Sequence, residues 1–469
     1  MTVIYGKVRR MDEDLQDAPR AELLAIIAAQ REQIAALEGQ GAALTAQVQA
    51  LVARVAELEH RDPPAWAKPN RPKRPGPRPA RKKRGRAFVR RRDAPTAVIE
   101  HAAERCPDCG TPLSGGWVRW RRQVIDLPVV PATVTEHAVI ARHCPSCQRL
   151  VTPTLDLSDE VLGRHRVGIR LMGLIALLRE QVRLPVATIQ DYLAQVHRLH
   201  LSVGEIIAVL GTVAQRARTA ATAIRDTIRR SPVVHGDETG WREDGQNGYL
   251  WSFSTPLLRY FIHGNRSKAM VDTVLGEAFT GVLVTDFYAA YDHYAGPHQR
   301  CWVHLLRDIH ELKRAQPADV PLVHWAAEVK ALYQRAKAER GPPATWSAER
   351  QEAWRRGRQR AAEQALATLC RPFAGQPVPQ RVLCERILKY LPELFTFLAD
   401  PRVPADNNAA ERSIRPAVIR RKISGGTRSA AGTLCRTTLW TLTETWRLQG
   451  RPLLDAWVSL LHDPAAAPV

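Results

Sequence analysis

Several patterns of apolar and polar residues succeed one another along the chain. Over residues 20–60 the apolar positions repeat every seven. Position a carries Ile27, Ile34, Gly41, Val48 and Val55, and position d carries Leu23, Gln30, Leu37, Leu44, Leu51 and Leu58. β-Branched residues at a with Leu at d favour a parallel two-stranded coiled coil. Residues 1–60 are therefore expected to hold a zipper, whose seam Gln30 and the pair Gly39/Gly41 weaken or interrupt. A long amphipathic helix packed on its own chain would leave the same stripe. Residues 61–96 break every period: eight prolines stand in 61–95, which denies the segment helix and sheet and predicts an extended linker. Between Trp117 and Cys144 apolar and polar residues alternate, with turn signals at Pro128 and Pro131. That period predicts a β-rich unit over 97–152. Residues 153–230 return to a helical spacing broken mainly by Pro185. Here LPVATIQDYLAQVHRLHLSVGEIIAVL reads helix, short turn, helix, with Ser202 as N-cap and Glu205 completing a capping box. This segment is either a helix-turn-helix that enters DNA or a plain helical bundle.

From 231 onward short buried runs predict strands. PVVHGDETG, GYLWSFSTP and LLRYFIHG read as three strands, AMVDTVLGEAF as a helix, GVLVTDFYAAYD as a strand, and QRCWVH as a short strand entering the helix LLRDIHELKRA. That order is the order of an RNase H-like α/β core, a mixed sheet with helices on both faces. Residues 315–400 carry no strand pattern and read as a helical insertion within a domain spanning 231–424. DNNAAERSIRPAVIRRK opens a helix, and residues 425–469 read as a C-terminal helical tail. The fold class expected is thus multidomain, α and α/β: coiled coil, four-cysteine unit, helical segment and catalytic core.

At 469 residues the chain exceeds one ordinary domain. Its 45% hydrophobic content is that of a globular protein. No apolar run of about 18 residues exists to span a membrane, and the N-terminus has no apolar core or cleavage site of a secretion signal. A cytoplasmic, nucleoid-associated protein is expected. The net charge of +21 points to a polyanionic partner, above all nucleic acid. Residues 61–95 alone hold fourteen Lys/Arg against two Asp. Within them Arg81, Lys82, Lys83 and Arg84 are candidate phosphate contacts that read no sequence.

Eight cysteines in a cytoplasmic chain do not make a disulfide framework. Four of them form two CPxC pairs, Cys106/Cys109 and Cys144/Cys147. Two such knuckles separated by a β-hairpin predict one tetrahedral, structural zinc site.

Two carboxylates follow buried runs: Asp237 after VVHG and Asp286 after GVLVT. An acid at a strand end is ordinarily a turn or a cap. If the two strands are neighbours, however, the carboxylates repel and one protonates unless a cation neutralises both. Magnesium-type ions take oxygen ligands and leave positions for phosphate. Two of them can clamp an in-line phosphoryl displacement. Glu411 in DNNAAERSIRP is the candidate third ligand, while Asp406 reads as a helix cap and Glu411 could also simply pair with Arg415. Glu238, next to Asp237, should face the other side of the strand as a supporting or solvated residue.

HGDETGW, LVTDFYAAYDHY with CWVHLLRDIHEL, and DNNAAERSIRPAVIRRKISGGTRS resemble the transposases of the insertion sequence 66 family, a D-D-E recombinase group. The resemblance runs over nearly the whole chain; RRKISGGTRS departs from a more aromatic stretch in many relatives. It implies a DNA transposase with Asp237, Asp286 and Glu411 binding catalytic magnesium or manganese. The reaction implied is cleavage at transposon ends by water, then attack of the freed 3′-hydroxyl on target DNA. Accessory proteins of the same element are usual for the family, and the zipper predicts a homodimer or higher oligomer. Arg412, Arg415, Arg420, Arg421 and Lys422 are then candidate DNA contacts. Asn407, Asn408, Cys301 and His304 are candidate supporting residues. The competing readings are a zinc-containing DNA-binding regulator with a silent core and an RNase H-like nuclease that cuts without joining.

Overall fold

The computed structural model describes residues 19–59, 93–163 and 165–464. They fall into two compact units, 1–124 and 125–469. In the first unit, helix α1 (Arg20–Glu59) runs unbroken for 40 residues. Gly39 and Gly41 do not interrupt it, although each costs roughly 1 kcal/mol against Ala. The surrounding Ala, Leu, Glu and Gln are strong helix formers. Leu24, Ile27, Ile34, Leu37, Leu44, Val48 and Leu51 are all exposed along it. The basic linker, including Arg81, Lys82, Lys83 and Arg84, lies outside the described residues.

The β-rich expectation for 97–152 is corrected. Among the described residues this stretch carries only the two-residue pair β1 (Arg142–His143) and β2 (Leu150–Val151), plus a bridge between Arg105 and Pro112. An isolated hairpin is marginal without a third strand or a helix to cover its apolar face. Among the described residues nothing covers Trp117, Trp120, Leu127, Val129 or Val134, which are all exposed.

Three helices follow in the second unit: α2 (Ile169–Glu180), α3 (Val186–His197) and α4 (Val203–Arg229). Ser202 and Glu205 form the expected capping box at the start of α4. α3 and α4 do have the helix-turn-helix outline, but α4 is a structural spine. Its small buried residues Ala214, Ala217, Ala220 and Ala221 belong to the main core, together with Leu439, Leu442 and Trp446. The bundle alternative therefore describes this segment.

The central sheet consists of β3 (Val233–Glu243), β4 (Gln246–Ser254), β5 (Arg259–Gly264), β6 (Val282–Thr285) and β7 (His298–Arg300), in the order β5-β4-β3-β6-β7. β3, β4 and β5 are antiparallel; β3, β6 and β7 are parallel. The expected strand order is present, but β3 is longer than expected and turns directly into β4. Asp244 and Gly245, both at positive φ, make that two-residue turn, as a right-twisted hairpin requires. α5 (Lys268–Leu275) crosses from β5 to β6.

The remaining helices are α6 (Trp302–Ala315), α7 (Val320–Ala338), α8 (Ala348–Cys370), α9 (Arg381–Lys389), α10 (Thr396–Ala399), α11 (Asn408–Ser424), α12 (Ala430–Leu448) and α13 (Leu453–His462). Helices α7 to α10 fall in the stretch predicted as a strand-free insertion, and together with α6 they share a core around Trp302, Trp325, Tyr333 and Phe395. α11 and α12 cover the other face of the sheet. Threonines spaced by four along α12 cap the edge strand: Phe261 N–H donates to Thr441 Oγ1 and Arg259 N–H to Thr445 Oγ1, at 3.1 and 3.0 Å. No helix of the described residues is long and apolar enough to cross a membrane.

Candidate active site

Parallel pairing between β3 and β6 covers Val233–His235 against Val282–Val284 and then stops. Continued in that register, Asp237 stands opposite Asp286. Asp237 is thus not at a strand end; it lies where β3 parts from β6 and continues as a hairpin with β4. Asp286 is the first residue after β6. Each acid spends one oxygen locally: Asp237 Oδ1 accepts from Glu238 N–H and Asp286 Oδ1 from Tyr288 N–H, both at 2.9 Å. Burial pushes the Asp237 carboxyl well above the usual range, and the charges of Glu238, Asp286 and Glu411 push it the same way.

Glu411 sits in the first turn of α11. Its Oε1 is buried without a hydrogen-bond partner. The nearest cation-forming group is His304 Nε2 at 3.7 Å, and His304 Nδ1 is also buried without a partner. The alternative pairing of Glu411 with Arg415 is not formed; Arg415 is exposed. Among the described residues no group of three or more His, Cys, Asp or Glu has already converged as a metal cage. Asp286 and Glu411 are nonetheless electrostatic neighbours of Asp237.

Asn407 organises this arrangement. It is the N-cap of α11 and is 1% exposed. Its Nδ2 donates to Gly236 O at 2.8 Å, and its Oδ1 accepts from His235 Nδ1 at 3.0 Å. Its backbone N–H donates to Cys301 Sγ at 3.1 Å. One side chain therefore ties the two residues of β3 that precede Asp237 to the helix that carries Glu411. Cys301, the N-cap of α6, packs in the core as a hydrogen-bond acceptor, and burial pushes its thiol up. Asn408 N–H donates to Asp406 Oδ1 at 3.2 Å, a turn contact just before the helix; the N-cap position expected for Asp406 is held by Asn407.

Glu238 does face away from Asp237, yet it is not solvated. Its side chain is 3% exposed. Oε1 accepts from Arg266 and Oε2 accepts from Tyr291 OH at 2.9 Å. Tyr291 reaches it because Gly236 has no side chain: a Cβ there would stand 3.2 Å from the Tyr291 ring. Arg266 and Tyr291 were not singled out in the sequence. The Asp-Gly pair at 244–245 would have extended β3 past Glu238, but nothing local marks Arg266.

The basic run of α11 divides by helix geometry. Arg412, Arg415 and Lys422 are exposed. Arg420 is corrected: it is 2% exposed, donates to Glu180 O and Glu444 Oε1, and lies over the Trp440 ring. A buried guanidinium held by two acids cannot meet DNA. Arg421 is half-buried and reaches across to Thr239 Oγ1 and Gly240 O on β3.

The cysteine knuckles lie one in each unit. Cys106 N–H donates to Thr111 O and Gly110 N–H to Cys106 O; Cys144 N–H donates to Arg149 O and Gln148 N–H to Cys144 O. In both, the fourth residue after the first cysteine takes positive φ: Gly110 at 75° and Gln148 at 52°. Thr111 beside Cys109, and Cys147 beside Cys144, lower the pKa of those thiols.

Residues 164–434 match the family model described as Transposase IS66 family. The chain belongs to this family. The matched span runs from the start of the helical segment into α12 and contains Asp237, Asp286 and Glu411. Two curated relatives come from Sinorhizobium fredii. The uncharacterized protein y4jO is 29% identical over 171 residues, 36% of this chain and 49% of that protein. The uncharacterized protein y4qI is 30% identical over 236 residues, 45% of this chain and 42% of that protein. The chain thus spans just under half the length of each.

Proposed function

We propose that this IS66-family protein is a DNA transposase that cleaves at transposon ends and transfers the freed strand into target DNA, using an RNase H-like D-D-E core. The observation that carries the reading is the acid pair Asp237/Asp286, in register where β3 and β6 diverge, with the orphaned Glu411 oxygen beside them. Burial first, and then the charges of neighbouring acids, raise the Asp237 pKa; three carboxylates so placed form a donor set that suits hard divalent cations. Asp237, Asp286 and Glu411 would hold magnesium or manganese, which when bound neutralises the acids and stabilises charge on the attacking and leaving oxygens.

In cleavage, water oxygen bonds to the phosphorus at the transposon end, the bond to the 3′-oxygen breaks, and a 3′-hydroxyl is left. In strand transfer that hydroxyl bonds to a target phosphorus and displaces the target's own 3′-oxygen. The chain's contribution is placement. Asn407 fixes the Glu411 helix against the Asp237 strand, and Arg421 fixes the same helix further along β3. Arg412 and Arg415 on the exposed side of α11 supply positive charge for backbone phosphates, and Lys422 extends that charge. Cys106, Cys109, Cys144 and Cys147 would hold one structural zinc; the matching loop geometry of the two knuckles supports this donor set. The exposed seam of α1 suits a parallel dimer, and accessory proteins of the same element would act with it.

The test uses the full chain, magnesium, and duplex DNA copied from the inverted repeats that flank its gene. Asp237→Asn, Asp286→Asn and Glu411→Gln should each abolish nicking and joining while thermal unfolding stays cooperative. Undiminished cleavage by the three purified variants overturns the reading. Nicking without joining by the unaltered protein would instead mark a nuclease.

A further inference from the structure

Next to the loop that carries Asp286 stands a guanidinium held by one carboxylate and two aromatic rings. Arg266 lies between β5 and α5. Its Nε and Nη2 both donate to Glu238 Oε1, at 3.2 and 2.9 Å. Its planar head lies over the Tyr288 ring at 3.9 Å and the Tyr249 ring at 5.2 Å. Its carbonyl accepts from Tyr288 OH at 2.7 Å, and Tyr288 N–H is the donor to Asp286 Oδ1. The arginine is therefore fastened to the same short loop that carries a catalytic acid. Its side chain is 43% exposed, and Nη1 makes no hydrogen bond among the described residues.

The cost of this arrangement indicates its purpose. Glu238 is a nearly buried carboxylate beside Asp237 and Asp286, where a third negative charge is unfavourable. A glutamine there could still accept from Tyr291. What a charged carboxylate adds is a rigid hold on the Arg266 head. A guanidinium aimed in advance loses little freedom when it meets a phosphate, and its planar donors suit phosphate oxygens.

We propose that Arg266 contacts a backbone phosphate of the DNA strand being cut, close to the scissile one, and that Glu238 is the positioning residue that aims it. The inference rests on the transposase reading and extends it to a substrate contact. The contact carries no base information; it sets the strand's register against Asp286.

The experiment pairs protein variants with single neutral phosphates. The full-length protein is titrated, without divalent ion, onto duplex DNA copied from the gene-flanking repeat. A methylphosphonate replaces one phosphate at a time around the end. One position should weaken binding of the unaltered protein by roughly tenfold, the scale of a charged hydrogen bond. Arg266→Ala should weaken binding to unmodified DNA by a similar factor and be indifferent to that position. Its slope of log affinity against log salt should be shallower by about one unit. Glu238→Gln should show part of both effects. Since Arg266→Ala strands a buried carboxylate, the double variant Arg266→Ala/Glu238→Gln, which has no orphaned charge, repeats the measurement. Losses that simply add at every phosphate, with an unchanged salt slope in both the single and double variants, overturn the proposal. That result alongside inactive Asp286→Asn protein would sink this contact alone, whereas active Asp286→Asn protein would sink the transposase reading itself.

Discussion

Asp237 is destabilising where it stands. Its carboxyl is held above the ordinary range by burial first and by neighbouring acids second. An acid whose pKa is raised on folding lets the unfolded chain ionise first, so stability present at low pH is lost as pH rises through the unfolded carboxyl value near about 4. Thermal unfolding of the metal-free protein should therefore fall with pH over the acidic range, and Asp237→Asn should flatten that fall. Magnesium should raise the midpoint of the unaltered protein and leave Asp237→Asn nearly unmoved. The same pH slope in both proteins would remove the charge argument. Asn407 gives a second residue-scale prediction. Asn407→Ala leaves His235 Nδ1 and Gly236 O buried without partners, each worth about 1–3 kcal/mol. Urea unfolding should report a loss of roughly 2–5 kcal/mol; a loss under about 1 kcal/mol would mean the link between β3 and α11 is slack. At this scale the acids were legible, because an acid after a buried run leaves a local mark. Asn407 was legible only as a supporting residue, since its partners are 171 and 172 positions away. Arg266 left no mark at all.

Among the elements, α11 shows why a charge run cannot be read as a surface. Arg420, Arg421 and Lys422 are consecutive, and a helix turns about 100° per residue. One therefore points into the core, one crosses to β3 and one faces outward. The strand order was legible because each strand is short, apolar and bounded by turn residues. The hairpin between Trp117 and Cys144 was not: alternation marks a strand only if something covers its apolar face. At the other edge of the sheet that cover exists, in the threonines of α12. Replacing Thr441 by Val keeps the shape and strands the Phe261 N–H, so it should cost about 1–3 kcal/mol in urea unfolding. A neutral result would mean that solvent reaches this edge. With only the two-residue pair β1/β2 for a sheet, the 97–152 stretch would depend on the proposed zinc at its knuckles. A strong zinc chelator should open it to proteolysis while the core of residues 165–464 stays resistant; unchanged cleavage within 97–152 would argue against a zinc staple there.

Across the whole molecule, chemistry and affinity are assigned to different stretches of chain. The net charge of +21 is concentrated: +12 falls within residues 61–95, and the acids of the site lie far beyond them in sequence. On the proposed reading the cationic segment would raise affinity for any duplex, whereas the core would decide which phosphodiester is cut. Changing Arg81, Lys82, Lys83 and Arg84 together to Ala should therefore weaken binding to end-derived and unrelated DNA by the same factor. Each lost phosphate contact removes about 0.9 from the slope of log affinity against log salt, so the full change is about 3–4 units. At saturating protein the rate of end cleavage should be unaltered, because the proposed chemistry is assigned to Asp237, Asp286 and Glu411 and not to these four. Loss of discrimination between end and unrelated DNA would instead place sequence reading in the linker. An unchanged salt slope would mean that its charges never reach the backbone. Binding by the linker and cutting by the core are separable only if affinity and rate move independently, which this single variant measures.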